Sequence, residues 1–297
     1  MMTAQIVCRH VTKRYRGVEA VKDISFALEE GKIYGVLGRN GAGKTTLMHL
    51  LTGQLVPTAG EILIDGQRPF ENRDVLKRIC FVKEGQQYIK HLTVHQTLKL
   101  AQMFFPHWNE ALAAELMEAF RLPARRRIKQ LSRGMESALG IIIGLASRAP
   151  ITLFDEPYLG LDAAGRHLFY ERLLRDYAEH PRTIILSTHL IDEVSKLFEH
   201  VLILHDGRLL VDEDAEQLRQ SAYTVSGTID GVKRFAADKR VLHTETLGAH
   251  MTAAIYGTCP PEERRQAEAE GLVFGTLSLQ QLFVYLTEKN GKEGEGP

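Results

Sequence analysis

The chain has 297 residues, 44% of them hydrophobic and 25% charged, enough to bury a substantial core without disulfides or structural metals. Lys+Arg and Asp+Glu are both 37, so the net charge is zero, which argues against a large nucleic-acid footprint, although RLPARRRIK (121–129) is a local basic run. Cys8, Cys80 and Cys259 form no CxxC, which argues against a zinc site or paired disulfides and for a reducing cytosol; the opening MMTAQIVCRHVTKRY lacks a signal-peptide core, and LGIIIGLA (139–146) falls short of the ~20 apolar residues of a membrane span.

In chain order, IVCRHVTKRY (6–15) and VKDISFALEE (21–30) alternate apolar and polar residues, as half-buried strands of an antiparallel region do. KIYGVL (32–37) is a fuller apolar run and predicts a buried strand. KTTLMHLLTG (44–53) spaces Leu47, Leu50 and Leu51 for a helix ending at Gly53, and EILIDG (61–66) and ICFVK (79–83) are short strands. Thr93 and Gln96 form a capping box before TVHQTLKLAQMF, and NEALAAELMEAFRL (109–122) is a second amphipathic helix. Ser132 caps a third, running to about Ser147. ITLFDEP (151–157) predicts a buried strand, 163–180 a long helix, TIILSTH (183–189) a strand, LIDEVSKLF (190–198) a helix, and 201–213 a hairpin through Asp206-Gly207. This alternation predicts an α/β fold with a mainly parallel sheet. After about residue 215 the pattern changes to short strands (AYTVSGTID, RVLHTET, HMTAAIYG) and helices (VKRFAADK, PEERRQAEAEG, SLQQLFVYLTE), read as a small separate α+β domain. KNGKEGEGP (289–297) reads as a polar, frayed tail.

Residues 38–46, GRNGAGKTT, contain G-x-x-x-x-G-K-[ST] at Gly38, Gly43, Lys44 and Thr45, with a strand before and a helix after. The glycines let backbone N–H groups converge on a phosphate, and the helix N-terminus adds partial positive charge. Lys44 is placed to reach the outer phosphates, and the Thr45 hydroxyl suits Mg²⁺. Asp155 and Glu156 end a buried strand, where ligands of open α/β sheets bind. Asp155 suits the metal and Glu156 the orientation or deprotonation of water. LSRGM (131–135) opens a helix with Ser132 and Gly134.

The order of P-loop, LS-x-G-x, apolar strand with Asp-Glu, GLD, and strand ending in His resembles the ATP-binding subunit of ABC transporters, over residues 5–215. Details are similar to cassettes of the bacterial ABC-2-type exporter group, which often carry a C-terminal appendix. The resemblance implies a P-loop NTPase cassette at 1–220, with RecA-like core, antiparallel β subdomain and helical subdomain (about 85–150), plus an accessory α+β domain at 221–297. It implies ATP and Mg²⁺ as cofactors. Gly38, Asn40, Gly41, Ala42, Gly43, Lys44, Thr45 and Thr46 resemble the phosphate loop, and Tyr15 the aromatic that stacks on adenine. Thr45 and Asp155, with Glu84 at the glutamine position of the Q-loop, are the implied metal residues. Lys44, Glu156 as catalytic base and His189 as the switch histidine are the implied catalytic residues, with Asp162 in the loop that crosses the dimer interface.

Four features depart from the family pattern: Arg133 and Met135 in the signature, Glu84 for a glutamine (Gln86 and Gln87 follow), Tyr158 for a small hydroxyl residue, and the run Met135-Glu136-Ser137. Arg133 either adds charge near the nucleotide or points to solvent. The implied partners are a membrane permease and a second cassette, identical or not, whose Ser132 and Gly134 complete the site in trans. No nucleic acid is expected. The implied location is cytoplasmic, peripheral on the inner face of the membrane. Phe104, Phe105 and Trp108 either meet the permease or belong to the core. The appendix is a dimerisation unit, a regulatory domain or a second permease contact. The rival readings are a soluble mechanical ABC ATPase, which would carry a coiled-coil insertion or two cassettes; a P-loop kinase, which would need an Arg-rich lid; and an ATP sensor without turnover.

Overall fold

The computed structural model describes residues 4–289. The chain opens with β1 (Ala4–Tyr15) and β2 (Val18–Glu29), paired antiparallel. Along β2, Ile24, Phe26 and Leu28 are buried while Asp23, Ser25 and Ala27 are exposed, the alternation expected of a half-buried strand. β3 (Ile33–Gly38) is buried at every residue. It leads into α1 (Lys44–Leu51), which turns Leu47, Leu50 and Leu51 inward. β4 (Ala59–Ile64) returns to β1, giving a three-stranded sheet in the order β2-β1-β4. A one-turn helix absent from the sequence reading, α2 (Arg73–Leu76), follows, capped by Asn72.

β5 (Ile79–Lys83) precedes the helical segment of α3 (Val94–Gln102), α4 (Glu110–Ala119) and α5 (Arg133–Ala146). The capping box before α3 is present: the Gln96 N–H donates to the Thr93 hydroxyl at 3.2 Å and the Thr93 N–H to Gln96 Oε1 at 2.9 Å. Ser132 caps α5, accepting from the Met135 N–H at 3.3 Å. Then come β6 (Ile151–Asp155), α6 (Ala163–Glu179), β7 (Thr183–Thr188), α7 (Ile191–Val194), β8 (His200–His205) and β9 (Arg208–Asp214). The helix expected over 190–198 is shorter: α7 has four residues and passes into a 3₁₀ turn at Ser195–Leu197. Leu190, the residue before α7, offers no side-chain cap.

The main sheet has the order β5-β6-β7-β3-β8-β9, and the pairs from β5 to β8 are parallel. The β8–β9 turn is Asp206-Gly207, both at positive φ (48° and 79°), as a two-residue hairpin turn requires. Among the described residues no helix is long and apolar enough to cross a membrane.

The chain divides into two compact units, one reaching His189 and including Lys196–Asp212, the other holding Leu190–Ser195 and continuing from Glu213. The second contains α8 (Ala215–Gln220), β10 (Ala222–Thr228), α9 (Ile229–Ala236), β11 (Arg240–Leu247), β12 (His250–Tyr256), α10 (Pro261–Ala269), β13 (Val273–Thr276) and α11 (Leu279–Lys289). From β10 to β13 the succession is βαββαβ, and the antiparallel sheet has the order β11-β12-β10-β13, a split βαβ arrangement. Val225, Ala253 and Ile255 pack with Val232 and Leu272 as its core. β13 was not foreseen in the sequence. Lys289, the first residue of the expected frayed tail, ends α11, and 290–297 lie outside the described residues.

Candidate functional site

Three adjacent parallel strands bring the motifs to one sheet edge. Leu37 of β3 is level with Thr188 of β7, and Ser187 of β7 is level with Asp155 of β6. Gly38, His189 and Glu156 are therefore the next residue out on each strand, at the carboxyl ends where α/β sheets take ligands. The loop after β3 is shaped by glycine. Gly41 and Gly43 have φ of 85° and 104°, which disfavour a side chain. A Cβ on Gly43 would also run into the Ala20 carbonyl oxygen. The β8–β9 turn braces the loop: the Gly207 N–H donates to the Ala42 carbonyl at 3.1 Å, and the Lys22 N–H to the Gly207 carbonyl at 2.7 Å. Asn40 is exposed at the loop's tip, while Thr45 and Thr46 lie in the first turn of α1. Lys44 is buried inside the loop, its ammonium donating to the Gly38 carbonyl at 2.6 Å and standing 3.7 Å from Glu156 Oε1.

Asp155 is buried at the end of β6, and the Ser187 hydroxyl donates to its Oδ1. Glu156 follows at φ 49°, a left-handed conformation costing on the order of 1–3 kcal/mol in a non-glycine residue. Ser187 holds it there: the Glu156 N–H lies 3.2 Å from Ser187 Oγ and 3.3 Å from the Ser187 carbonyl. The Glu156 carboxylate sits 2.9 Å from His189 Nδ1 through Oε2, which also accepts from the Tyr158 hydroxyl. Tyr158 is 1% exposed; burial, then the Glu156 charge beside it, pushes its phenol well above the usual tyrosine range. It stays a hydrogen-bond donor at neutral pH.

Thus Lys44, Asp155, Glu156 and His189 come together, with Thr45 beside Lys44 on α1. Ser132 and Gly134 belong to a second cluster at the start of α5. There the Ser137 hydroxyl donates to the Leu159 carbonyl at 2.5 Å, and a Cβ on Gly134 would stand 2.6 Å from the Gly160 carbonyl oxygen. Gly160 has φ 97°. The helix start and the loop 159–161 are in backbone contact. Asp162 caps α6, accepting from the Gly165 N–H at 2.8 Å. Glu84 follows β5, and its N–H donates to the Asp155 carbonyl at 3.0 Å, so its exposed side chain begins beside the Asp155 backbone. Gln86 Oε1 is turned back to the Lys83 N–H at 3.3 Å. Arg133 is exposed at the rim of a cavity of about 220 Å³ lined also by Glu84, Tyr88, Glu136 and Ser137. Tyr15 lies half exposed at the end of β1, with the Lys13 ammonium 5.4 Å from its ring centre. Phe104, with Met103, is exposed rather than part of the core; Phe105 and Trp108 are half buried.

The sequence reading missed Ser187 and Thr188, and saw Tyr158 only as a departure. The available signal was position: Ser187 and Thr188 directly precede His189 on a strand between the two motif strands.

The family described as ABC transporter matches residues 21–159. The chain is 33% identical, over 97% of its length and 98% of the relative's, to a Nod factor export ATP-binding protein I of Burkholderia orbicola. It is 34% identical, over 74% of its length and 72% of the relative's, to the bacitracin transport ATP-binding protein BcrA of Bacillus licheniformis. Among solved structures, an ATP-binding subunit of an ABC transporter covers 73% of this chain and 92% of its own, with 26% identity and a TM-score of 0.65. A dimeric ATP-binding cassette in a post-hydrolysis state, bound to ADP and phosphate, covers 71% of this chain and 98% of its own, with 25% identity and a TM-score of 0.63.

Proposed function

Because the chain belongs to the ABC transporter family of ATP-binding proteins, a family that hydrolyses ATP, we propose that it powers a separate membrane permease, exporting a drug, peptide or similar small molecule. The observation that carries the site reading is the convergence of Lys44, Glu156 and His189, with Glu156 3.7 Å from the lysine and 2.9 Å from the histidine, at the mouth of a glycine-shaped phosphate loop. The names of the two relatives, one for bacitracin transport and one for Nod factor export, support the exporter reading.

In this reading the N–H groups of residues 40–46 cradle the phosphates and Tyr15 stacks on the adenine. Thr45 and Asp155, with Glu84 near by, hold Mg²⁺; a hydroxyl and a buried carboxylate steadied by Ser187 are the hard oxygen donors this ion takes. The bound ion neutralises phosphate charge. Glu156, clamped between His189 and Tyr158, directs water at the γ-phosphorus, while Lys44 and His189 offset the charge that develops. Ser132, Gly134 and Asp162 face the nucleotide of a second cassette, so ATP and dimerisation are linked by mass action. The cassette is 1–220, its helical portion (about 85–150) meeting the permease through the exposed Met103 and Phe104, and 221–297 is accessory. This places the protein on the inner face of the cell membrane through its permease.

The test is to express tagged Glu156→Gln protein, solubilise membranes with ATP present and identify what co-purifies. A polytopic membrane protein in stoichiometric amount is the expected result, and a second cassette beside it would define a heterodimer. Ribosomes or DNA-repair proteins without a membrane protein would overturn the transport reading in favour of a soluble mechanical ATPase.

A further inference from the structure

The Tyr158 hydroxyl touches three groups at once. It donates to Glu156 Oε2, lies 2.5 Å from Thr188 Oγ1, and receives the His189 N–H at 3.4 Å. A phenol has one proton and two lone pairs, and a carboxylate only accepts. The proton therefore goes to Glu156, Thr188 donates to the phenol oxygen, and the His189 N–H takes the remaining lone pair. Every capacity of the hydroxyl is used. The side chain is fixed from other directions as well: its ring packs against Tyr170 at 6.3 Å and tilts against the His189 ring at 6.2 Å, and its carbonyl accepts from the Leu161 N–H at 2.9 Å. A threonine or serine here would be too short to span from the β7 end to the Glu156 carboxylate along this path.

We propose that Tyr158 is a positioning residue for hydrolysis, its hydroxyl fixing the Glu156 carboxylate against the end of β7 so that carboxylate and switch histidine are held as one unit. This rests on the reading of Glu156 as the group that directs water. The hydroxyl acts through Glu156, so its loss slows turnover and leaves ATP binding alone.

The test is Tyr158→Phe in the full chain, which keeps the ring and its packing. ATPase kcat and KM, affinity for a fluorescent ATP analogue and thermal midpoint are measured on the same preparations. Losing a hydrogen bond to a charged group is expected to lower kcat about tenfold or more, with KM and analogue affinity within about twofold of wild type. Glu156→Gln and the double variant Glu156→Gln/Tyr158→Phe are measured beside it, and their residual rates are expected to agree within about twofold, because the hydroxyl has no carboxylate left to orient. An unchanged kcat in Tyr158→Phe overturns the proposal. So does lost analogue affinity, which would make the hydroxyl a structural support, or a further large drop in the double variant, which would give it a separate role. If Glu156→Gln alone keeps the wild-type rate, the reading of Glu156 fails, and the proposal with it; a slow Glu156→Gln beside a normal Tyr158→Phe sinks only the proposal.

Discussion

Replacing Gly134 by alanine strains one close backbone approach. The new Cβ would stand 2.6 Å from the Gly160 carbonyl oxygen, a backbone atom that cannot rotate away, and real Cβ atoms essentially never come under 3.0 Å. The start of α5 or the loop must therefore move by on the order of half an ångström. The loop resists, since the Ser137 hydroxyl holds the Leu159 carbonyl and the Leu161 N–H holds the Tyr158 carbonyl. Overpacking of this kind costs about 1–3 kcal/mol. Alanine's better helix propensity returns at most ~1 kcal/mol. With the full return counted, a net loss of about 0–2 kcal/mol remains, a midpoint up to roughly 8 °C lower for a chain this large. Because the strained loop is continuous with Glu156, and Gly134 faces the second cassette's nucleotide in the proposed reading, ATPase turnover is expected to fall several-fold. Calorimetry and steady-state ATPase on the full chain check both. A midpoint within about 1 °C of wild type, with unchanged turnover, would refute the idea that helix start and loop are locked together.

Two further expectations concern the rest of the cassette. Asp176, almost fully buried, stands 2.9 Å from Arg148 Nη2 and 2.7 Å from Arg182 Nη1; Asp176→Ala leaves the buried Arg182 charge unpaired and is expected to cost about 3–5 kcal/mol in a urea titration, a loss below about 1 kcal/mol refuting this. His49, edge-on to Phe81, has its folded pKa lowered below 6.5, by burial first and then by the Lys83 charge. Its contribution to stability is thus fully present above pH 6.5 and is lost as pH falls through the lowered folded value. His49→Gln should flatten the fall of the unfolding midpoint below pH 6.5, and an unchanged slope would count against the assignment.

What could be read from the sequence was what is local. The P-loop, the Thr93–Gln96 box, the Ser132 cap and the Asp206-Gly207 turn each lie within a few residues, and each was found in place. β13 escaped because Val273–Thr276 is four residues long, holds a glycine and gains its strand character from pairing with β10, some fifty residues earlier. α7 was read too long because its apolar spacing runs on at helical period through a segment, Ser195–Leu197, that winds as a 3₁₀ turn. In the site, the motif residues were legible and their bracing was not. Ser187 and Thr188 look like ordinary strand residues, and only the register of β3, β7 and β6 sets them against Asp155, Glu156 and Tyr158.

The brace on the phosphate loop bears on the order in which the protein is made. Ala42 accepts from Gly207, and Gly207 in turn accepts from Lys22, so the loop joins residues from the beginning and the far end of the cassette. β3, which starts at Ile33 and feeds the loop, lies between β7 and β8, which start only at Thr183 and His200. At roughly 5–20 residues per second, a nascent chain carries its complete P-loop sequence for many seconds before the strands that shape it leave the ribosome. The bracing of the loop therefore arrives late, with the closure of the sheet around β3.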